Sequence, residues 1–442
     1  MSALTDKEYL GITIPFMLST MTQPLMGAVN TAVMGQMSDA KYVAAVSLGV
    51  ILFNTIYWIF GFLRVSTTGY AAQANGAKDT YQGMLAFFKP CIIALLVGCC
   101  CLVLQNPIID VYLAFISPQP DVAVLCRQYY SLLIWGAPMV LFNYVALGWL
   151  MGQTRIKASV GMQVSMNLLN CILSIYFVNY LHMDVDGVAW AMLLCQIYGG
   201  ILAAILMYVY GRFEYSRLPW KELLDWHQFV DMLKVNSNLM IRTMCLMTVN
   251  NILAAVGAGF GTSMLAANAV LLQIKDIMSY LIDGMANGAA IFSGKAKGQA
   301  SHQLLEETIA ITYKWLVVLS LLLMGIYHLW HQYFIGIFTE ITDVLVLANE
   351  YSFYVTLYPL VSGVGMVLYG VFCGVTKTAP IRNMMLIALS VFYVLKSFFV
   401  PWWGNDGLWI AYLSFFVAQS IILSLFLKGL KKNLLGIDDI LH

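Results

Sequence analysis

Long apolar segments recur from one end of the chain to the other. About twelve of them reach the roughly 20 residues that a helix needs to cross a bilayer, near residues 10–34, 43–73, 88–105, 122–150, 158–180, 186–210, 228–257, 262–292, 308–335, 345–373, 381–400 and 406–428. Hydrophobic residues make up 61% of the chain and charged residues only 10%, whereas soluble domains are about half apolar and a quarter charged. The chain is therefore predicted to be an all-α integral membrane protein.

Basic residues are distributed unevenly among the connections between these segments. An even number of spans places both termini on one side, and the connections on that side carry Lys78, Lys89, Arg155, Lys157, Arg212, Arg217, Lys221, Lys295, Lys297, Lys377 and Arg382, with Lys428, Lys431 and Lys432 in the tail. The opposite connections carry only Lys41 and Arg127. Because basic residues favour the cytoplasmic side, we expect a multi-pass protein of the plasma (inner) membrane with both termini cytoplasmic.

Several classes of function lack support in the sequence. A formal net charge of +1 gives no basis for binding nucleic acid. The nine cysteines contain no CxxC pair, so neither a metal site nor a redox cofactor is predicted. No Walker A motif is present, and no Ser/His/Asp constellation indicates an enzyme. The expected partners are the lipid bilayer and a small molecule.

The chain repeats itself at a spacing near half its length. Three blocks match in the same order: AAVSLG…AQANG from Ala44 with AANAVL…GKAKG from Ala266, GWLMGQT from Gly148 with GVFCGVT from Gly370, and DGVAWA from Asp186 with DGLWIA from Asp406. Each half then holds six helices, and an even number per repeat gives parallel halves related by a pseudo-two-fold axis along the membrane normal. The predicted domains are an N-lobe at 1–212, a cytoplasmic linker at 213–227 and a C-lobe at 228–442.

Two such bundles are typical of secondary transporters, and particular motifs narrow the family. These are QPLMGAVNTAVMGQM in the first span, FGFLRVSTTGYAAQANGAKD closing the second, GWLMGQTRIKAS after the fourth, NLLNCILSIYFV in the fifth and LAANAVLLQIKDIMSYLIDGMANGA in the eighth. Together they resemble the DinF-like branch of the multidrug and toxic compound extrusion (MATE) family. The resemblance implies a V-shaped pair of bundles that exchanges a cation gradient for export of amphiphilic compounds.

The first half departs from the DinF-like pattern where that pattern binds its coupling cation. Asn30 stands at a position that is aspartate in most such proteins, and the motif Asn-x-x-Asn-x-x-x-Asp reads Asn167, Asn170, Ser174. Met192 replaces a threonine that commonly contributes an oxygen. An amide does not titrate near neutral pH, and amide and hydroxyl oxygens bring no negative charge for sodium. These amides either bind substrate or pack against each other between helices.

The second half carries the charges that remain inside predicted spans, namely Arg242, Lys275, Asp276 and Asp283. Charge within a bilayer is costly and rarely persists without a partner or a function. The four residues either form a closed ion-pair network or include a carboxylate that takes up the coupling proton. Asp283 and Arg242 match the DinF-like pattern, so Asp283 is the first candidate and Asp276 the second.

Polar side chains within the spans are further candidates for the substrate cavity. They are Gln23, Asn30, Tyr57, Asn143, Asn167, Asn170, Ser174, Asn250, Gln273 and Asn287. The sequence thus favours a monomeric, cofactor-free antiporter that exports small amphiphilic or cationic compounds, with protons favoured over sodium as the coupling ion. A lipid-linked saccharide flippase of the same superfamily, or a relative that has lost transport, remains the alternative.

Overall fold

The computed structural model describes residues 4–34, 40–211, 223 and 225–432. Helices dominate this part of the chain, and no strand occurs in it. In chain order they are α1 (Asp6–Thr20), α2 (Thr22–Met34), α3 (Ala40–Phe60), α4 (Phe62–Ala77), α5 (Thr80–Val103), α6 (Gln105–Ile116), α7 (Pro120–Leu133), α8 (Ala137–Gly152), α9 (Ile156–Ile175), α10 (Val185–Gly211), α11 (Trp226–Ala258), α12 (Thr262–Gly298), α13 (His302–Phe338), α14 (Thr342–Gly374) and α15 (Ala379–Lys432).

The first predicted span, 10–34, is two helices and not one. α1 ends at Thr20 and α2 begins at Thr22. Pro24 lies four residues after Thr20 and has no N–H to donate to the Thr20 carbonyl, so the helical ladder is interrupted there. At the end of α1, the Thr20 hydroxyl lies within hydrogen-bond distance of the Phe16 and Met17 carbonyls and, at 2.8 Å, of the Tyr280 carbonyl of α12.

The last two predicted spans, 381–400 and 406–428, lie within the long α15. Gly404 interrupts this helix with φ 54° and ψ −125°, a left-handed conformation that glycine adopts without a Cβ penalty. Ten segments of the described residues are long and apolar enough to cross a membrane, and α15 supplies one of them. Dividing α15 at Gly404 and adding the broken first span reconciles these ten with the twelve predicted.

The chain forms two compact units. One comprises residues 21–232, and the other comprises the residues up to Thr20 together with those from Leu233 onward. α1 therefore packs within the unit built by the second half: the buried Tyr9 ring lies 5.7 Å from the Phe292 ring, and its hydroxyl donates to the Met285 carbonyl at 3.4 Å. The predicted lobe boundaries had placed α1 with residues 1–212. Most of the predicted linker, 213–227, lies outside the described residues.

Each unit is built around its own apolar core. In the unit of residues 21–232, the buried ring of Phe53 stacks on Tyr130 with centroids 5.3 Å apart and meets Tyr129 edge-on at 6.3 Å. In the other unit, Ile282, Met285, Phe292, Leu316 and Val367 gather around Tyr9. These cores hold the helices that carry the polar residues described below.

The sequence duplication reappears in the way glycines bring helices together. A Cβ placed on Gly148 would overlap the Arg64 carbonyl oxygen, and one on Gly370 would overlap that of Ala286. Arg64 and Ala286 occupy the same position in the aligned halves. One helical turn further on, the same relationship joins Gly152 to Thr68 and Gly374 to Ala290. The α4–α8 and α12–α14 pairs therefore approach in the same way, because only glycine fits these positions.

Candidate functional site

Amides join α2 to α9 in the unit of residues 21–232. Asn30 Nδ2 donates to Asn170 Oδ1 at 3.1 Å, and Asn167 Nδ2 donates to Thr22 Oγ1 at 2.5 Å. Thr22 and Asn30 lie about two turns apart on α2, and Asn167 and Asn170 one turn apart on α9, so each pair shares a helix face. These contacts join the two helices, and substrate binding by the same amides stays a prediction.

Several buried polar atoms of the predicted cavity residues in this unit have no hydrogen-bond partner among the described residues. They are Asn30 Oδ1, Ser174 Oγ, Tyr57 Oη and both amide atoms of Asn143. Ser174 is only 1% exposed, so its hydroxyl is removed from bulk solvent. Buried polar groups without partners are uncommon in folded proteins and require an explanation. Here they leave oxygen acceptors available, but none that carries negative charge.

Two further predicted positions in this unit contribute little to the amide group. Gln23 is exposed at the start of α2. Met192, which replaces the expected threonine, is half-buried, and its sulfur accepts from the Tyr129 hydroxyl at 3.5 Å. The thioether thus packs against an aromatic side chain and supplies no hard oxygen ligand.

The other unit contains an ion pair on α12 in which the lysine is buried and the aspartate is half-exposed. Lys275 Nζ lies 2.6 Å from Asp276 Oδ1, and the exposed fractions of the two side chains are 7% and 50%. The ammonium also lies 5.5 Å from the ring centroid of Tyr358 and 5.9 Å from that of Tyr412. A carboxylate on one side and aromatic faces on the other offset part of the cost of burying the lysine charge.

Hydrogen bonds fix the two tyrosines that surround Lys275. Ser279 Oγ and Tyr358 Oη are 2.8 Å apart, and Tyr412 Oη donates to Asn250 Oδ1 at 3.2 Å. Asn250, which the sequence placed in the cavity, therefore positions a tyrosine of the lysine site. The lysine, its carboxylate and these two rings form what we call the Lys275 site.

A second cation lies on α11. The guanidinium carbon of Arg242 stands 3.7 Å from the ring centroid of Tyr369, and Arg242 Nε is buried without a hydrogen-bond partner among the described residues. Tyr369 is close enough to interact electrostatically with both Arg242 and Asp283. The described contacts therefore join Lys275 to Asp276 and Arg242 to Tyr369, while Asp283 lies on α12 and its charge acts on Tyr369.

The remaining predicted cavity residues of this unit lie on α12. Gln273 is exposed and Asn287 is half-buried. No group of histidine, cysteine, aspartate and glutamate in the described residues has the arrangement of a metal site. The side chains gathered here are suited to exchanging a proton or binding a charged group.

Sequence reasoning missed the tyrosines that complete these groups. Tyr358 and Tyr369 lie on α14 and Tyr412 on α15, far along the chain from the charges that they contact. The chain has 25 tyrosines, so their presence alone identifies none of them.

Comparison with known proteins finds one family model and several relatives that match most of the chain. The MatE family model matches residues 15–176 and 239–398. DNA damage-inducible protein F of Escherichia coli (strain K12) is 30% identical over 428 residues, which cover 95% of this chain and 91% of that protein. A probable multidrug resistance protein NorM of Photorhabdus laumondii is 20% identical, with 97% of each chain covered.

Solved structures share the fold. An outward-facing multidrug resistance MATE family transporter of the MOP superfamily superposes with a TM-score of 0.88 at 20% identity, covering 98% of this chain and 97% of the other. A MOP superfamily transporter from Pyrococcus furiosus gives 0.87 at 19% identity, with coverage of 98% and 97%. Since the family model and a relative of 30% identity both cover most of its length, the chain belongs to the MatE family and is a multi-pass membrane transporter, not an enzyme.

Proposed function

We propose that this transporter exports small amphiphilic or cationic compounds in exchange for protons. Relatives described as probable multidrug resistance proteins support the substrate class. The distribution of ionisable groups supports protons as the coupling ion. In the unit of residues 21–232, amides and a hydroxyl stand where a cation site would need carboxylates, and none of them can carry a proton near neutral pH.

The observation that carries the proposal is that Arg242 packs on Tyr369, a tyrosine on which the charge of Asp283 also acts. A carboxylate in an apolar span can be neutralised by a proton or by a nearby cation. Protonation of Asp283 removes the negative charge from the neighbourhood of Arg242. A conformational change that alters this proximity therefore changes the affinity of Asp283 for its proton, which is the requirement for coupling.

The Lys275 site is the second candidate for proton coupling. Asp276 is half-exposed, whereas Lys275 is buried against Tyr358 and Tyr412. Protonation of Asp276 leaves the ammonium with aromatic faces and without a counter-charge. The half-exposed carboxylate is then no longer available to a cationic substrate, so a proton and the substrate compete for Asp276, as exchange requires.

The proposal extends to cellular setting and assembly. The excess of basic residues on one set of connections supports an orientation with both termini cytoplasmic in the inner membrane. We propose a monomer that needs no cofactor other than the coupling ion. Each unit has its own core, and neither candidate group needs a residue from a second copy.

Transport in proteoliposomes tests this function. Purified protein is reconstituted with a fluorescent lipophilic cation, and a proton gradient and a sodium gradient are imposed separately. We expect efflux driven by the proton gradient and no response to sodium at clamped pH. Asp110, which forms an exposed ion pair with Arg127, provides a matched control: Asp110→Asn should transport normally. Sodium-driven efflux at clamped pH, or no gradient-driven efflux of any probe, contradicts the proposal.

A further inference from the structure

A polar cavity of about 680 Å³ opens in the unit of residues 21–232 at the ends of its membrane-spanning helices. It lies where α4 ends and α5 begins, beside the ends of α8 and α10. Its lining includes Asn75, Lys78, Asp79, Trp149, Arg155 and Tyr210. None of the lining residues belongs to the amide group between α2 and α9, so the cavity is separate from the predicted substrate and cation positions.

Among the described residues that line the cavity, positive charges outnumber negative ones. Lys78 ends α4 in a left-handed conformation, φ 56°, and its side chain is exposed. Arg155 is also exposed, and its guanidinium carbon lies 5.3 Å from the ring centroid of Tyr210. The single carboxylate of these lining residues, Asp79, caps α5 by accepting from the Gln82 backbone N–H at 3.0 Å. Two cations thus face one carboxylate that is already engaged.

Hydrogen bonds hold the neutral wall of the cavity in place. Trp149 is buried, and its indole N–H donates to the Gly83 carbonyl at 2.8 Å. Asn75 Nδ2 donates to the Gly152 carbonyl at 3.2 Å, and Gln153 Nε2 donates to the Ala71 carbonyl at 3.1 Å. The space is therefore formed before any ligand arrives, which lowers the entropic cost of binding.

The corresponding loop of the other half has a different lining. Lys297 aligns with Asn75, and its ammonium donates to the Val375 carbonyl at 2.8 Å and to Thr376 Oγ1 at 3.1 Å. Ala300 aligns with Lys78, and Val371 with Trp149. In that half Lys297 is engaged by the connection that follows α14, and the tryptophan wall is lacking. Lys377 aligns with Arg155, so a cation is kept at that position, whereas Lys78 and Trp149 are specific to the first half and are not required by the shared fold.

We propose that this cavity binds the phosphate of an anionic headgroup. Arginine offers a planar pair of donors that matches phosphate oxygens, and lysine adds a second positive charge. The helix ends place the cavity at the depth of the lipid phosphates, where tryptophan and tyrosine are favoured. Basic pockets between membrane helices at this depth bind anionic headgroups, and the volume accommodates a glycerophosphate group.

Native mass spectrometry of the full-length protein in detergent tests this proposal. The probes are phosphatidylglycerol, phosphatidylcholine, glycerol 3-phosphate and inorganic phosphate. Lys78→Ala/Arg155→Ala removes both cations, whereas Lys157→Ala removes an exposed charge on α9 that does not line the cavity. We expect phosphatidylglycerol to bind in preference to phosphatidylcholine, and the double variant to bind it at least tenfold more weakly than Lys157→Ala.

The soluble probes distinguish the two sources of phosphate. If glycerol 3-phosphate or inorganic phosphate binds as tightly as phosphatidylglycerol and displaces it, the site takes a soluble phosphate compound. Equal lipid retention by the double variant and Lys157→Ala overturns the proposal. Closely similar thermal unfolding temperatures of the two variants exclude misfolding as the cause of lost binding. Arg155→Lys keeps the charge but loses the planar donor pair, and we expect intermediate binding.

Discussion

Asn75 and Lys297 occupy the same position in the two halves of the chain, and each donates a hydrogen bond to a threonine hydroxyl. The acceptors are Thr154 at 3.4 Å and Thr376 at 3.1 Å, which also correspond, and both adopt φ 56°. The loop geometry has been kept while the donor has changed from a neutral amide to an ammonium. Within each unit the duplication therefore preserves helix packing and loop shape, whereas the chemistry of the polar residues has diverged.

Helix packing at the duplicated glycines predicts that one glycine-to-alanine substitution lowers stability and that another, at an open position, does not. Gly374→Ala would press a Cβ into the Ala290 carbonyl oxygen, and overpacking of this kind costs about 1–3 kcal/mol. Gly325 lies within α13, and a Cβ added there would have no atom of another residue within 4 Å, so Gly325→Ala should be neutral or stabilising by up to about 1 kcal/mol. Thermal unfolding in detergent measures both. Equal unfolding temperatures would show that α12 and α14 are not held at this distance.

A buried amide network around the break in α15 predicts a second effect on stability. Asn268 and Asn405 exchange hydrogen bonds of 2.8 and 3.1 Å, and Trp409 Nε1 donates to Asn268 Oδ1 at 2.9 Å. Asn268→Ala removes the bonds that Asn405 and Trp409 make to Asn268, at about 1–3 kcal/mol for each group left unsatisfied. We expect a lower unfolding temperature and faster hydrogen exchange near Gly404. The exposed Asn251 provides the control, since Asn251→Ala should change neither.

The arrangement of helices was predictable from the sequence because a membrane span must be apolar along its whole length. The break between α1 and α2 was also readable in principle, since Pro24 removes a helical hydrogen bond. The packing of α1 within the unit of the second half was not readable. It depends on the contacts of Tyr9 with Phe292 and Met285, and no periodic pattern records a contact between distant residues.

The candidate site was predictable only in part, for a related reason. Arg242, Lys275, Asp276 and Asp283 were visible because charge is rare in an apolar span. Their pairing was not visible, since adjacent residues such as Lys275 and Asp276 point in directions about 100° apart on a helix. The long lysine side chain nevertheless reaches its neighbour. The rings around the charges come from α14 and α15, and a tyrosine in an apolar span is too common to identify a site.

The Lys275–Asp276 pair predicts that removing one partner costs more than removing both. Asp276→Asn keeps an acceptor for Lys275 but leaves the buried ammonium without its counter-charge, so the unfolding temperature should fall. In Lys275→Met/Asp276→Asn the buried charge is gone, so the unfolding temperature should recover most of the loss. Thermal unfolding of the two single variants and the double variant gives the coupling energy. Additive effects would mean that the pair contributes no mutual stabilisation.

The amide group between α2 and α9 predicts weak sodium binding that carboxylates should restore. Asn30 and Ser174 supply only uncharged oxygens, two of which lack partners. In Asn30→Asp/Ser174→Asp, two carboxylates are added beside Asn170, and sodium should raise the unfolding temperature by the equivalent of about 2.7 kcal/mol at 100 times its dissociation constant. Potassium at equal ionic strength is the control. A sodium-dependent shift of the same size in the unaltered protein would contradict the assignment of protons as the coupling ion.

Asp283 is predicted to carry the coupling proton. Asp283→Asn keeps the size and hydrogen-bonding capacity of the side chain but cannot titrate, so gradient-driven efflux should be lost while substrate binding and the unfolding temperature are largely retained. Proteoliposome efflux across a series of pH values measures the loss of gradient-driven transport, and binding of the same fluorescent cation measures the retained substrate binding. Asp110→Asn is the matched control, because it removes a carboxylate from an exposed ion pair.

Transport by Asp283→Asn and by Asp276→Asn shows which of these two carboxylates carries the coupling proton. If Asp283→Asn transports with an unchanged pH profile while Asp276→Asn is inactive, the Lys275 site carries the proton. In that case Lys275→Met/Asp276→Asn should recover stability but not transport, because removing the unpaired ammonium cannot replace a titrating group. If both single variants transport normally, the charges of α12 serve only to hold helices together, and proton coupling through this unit is excluded.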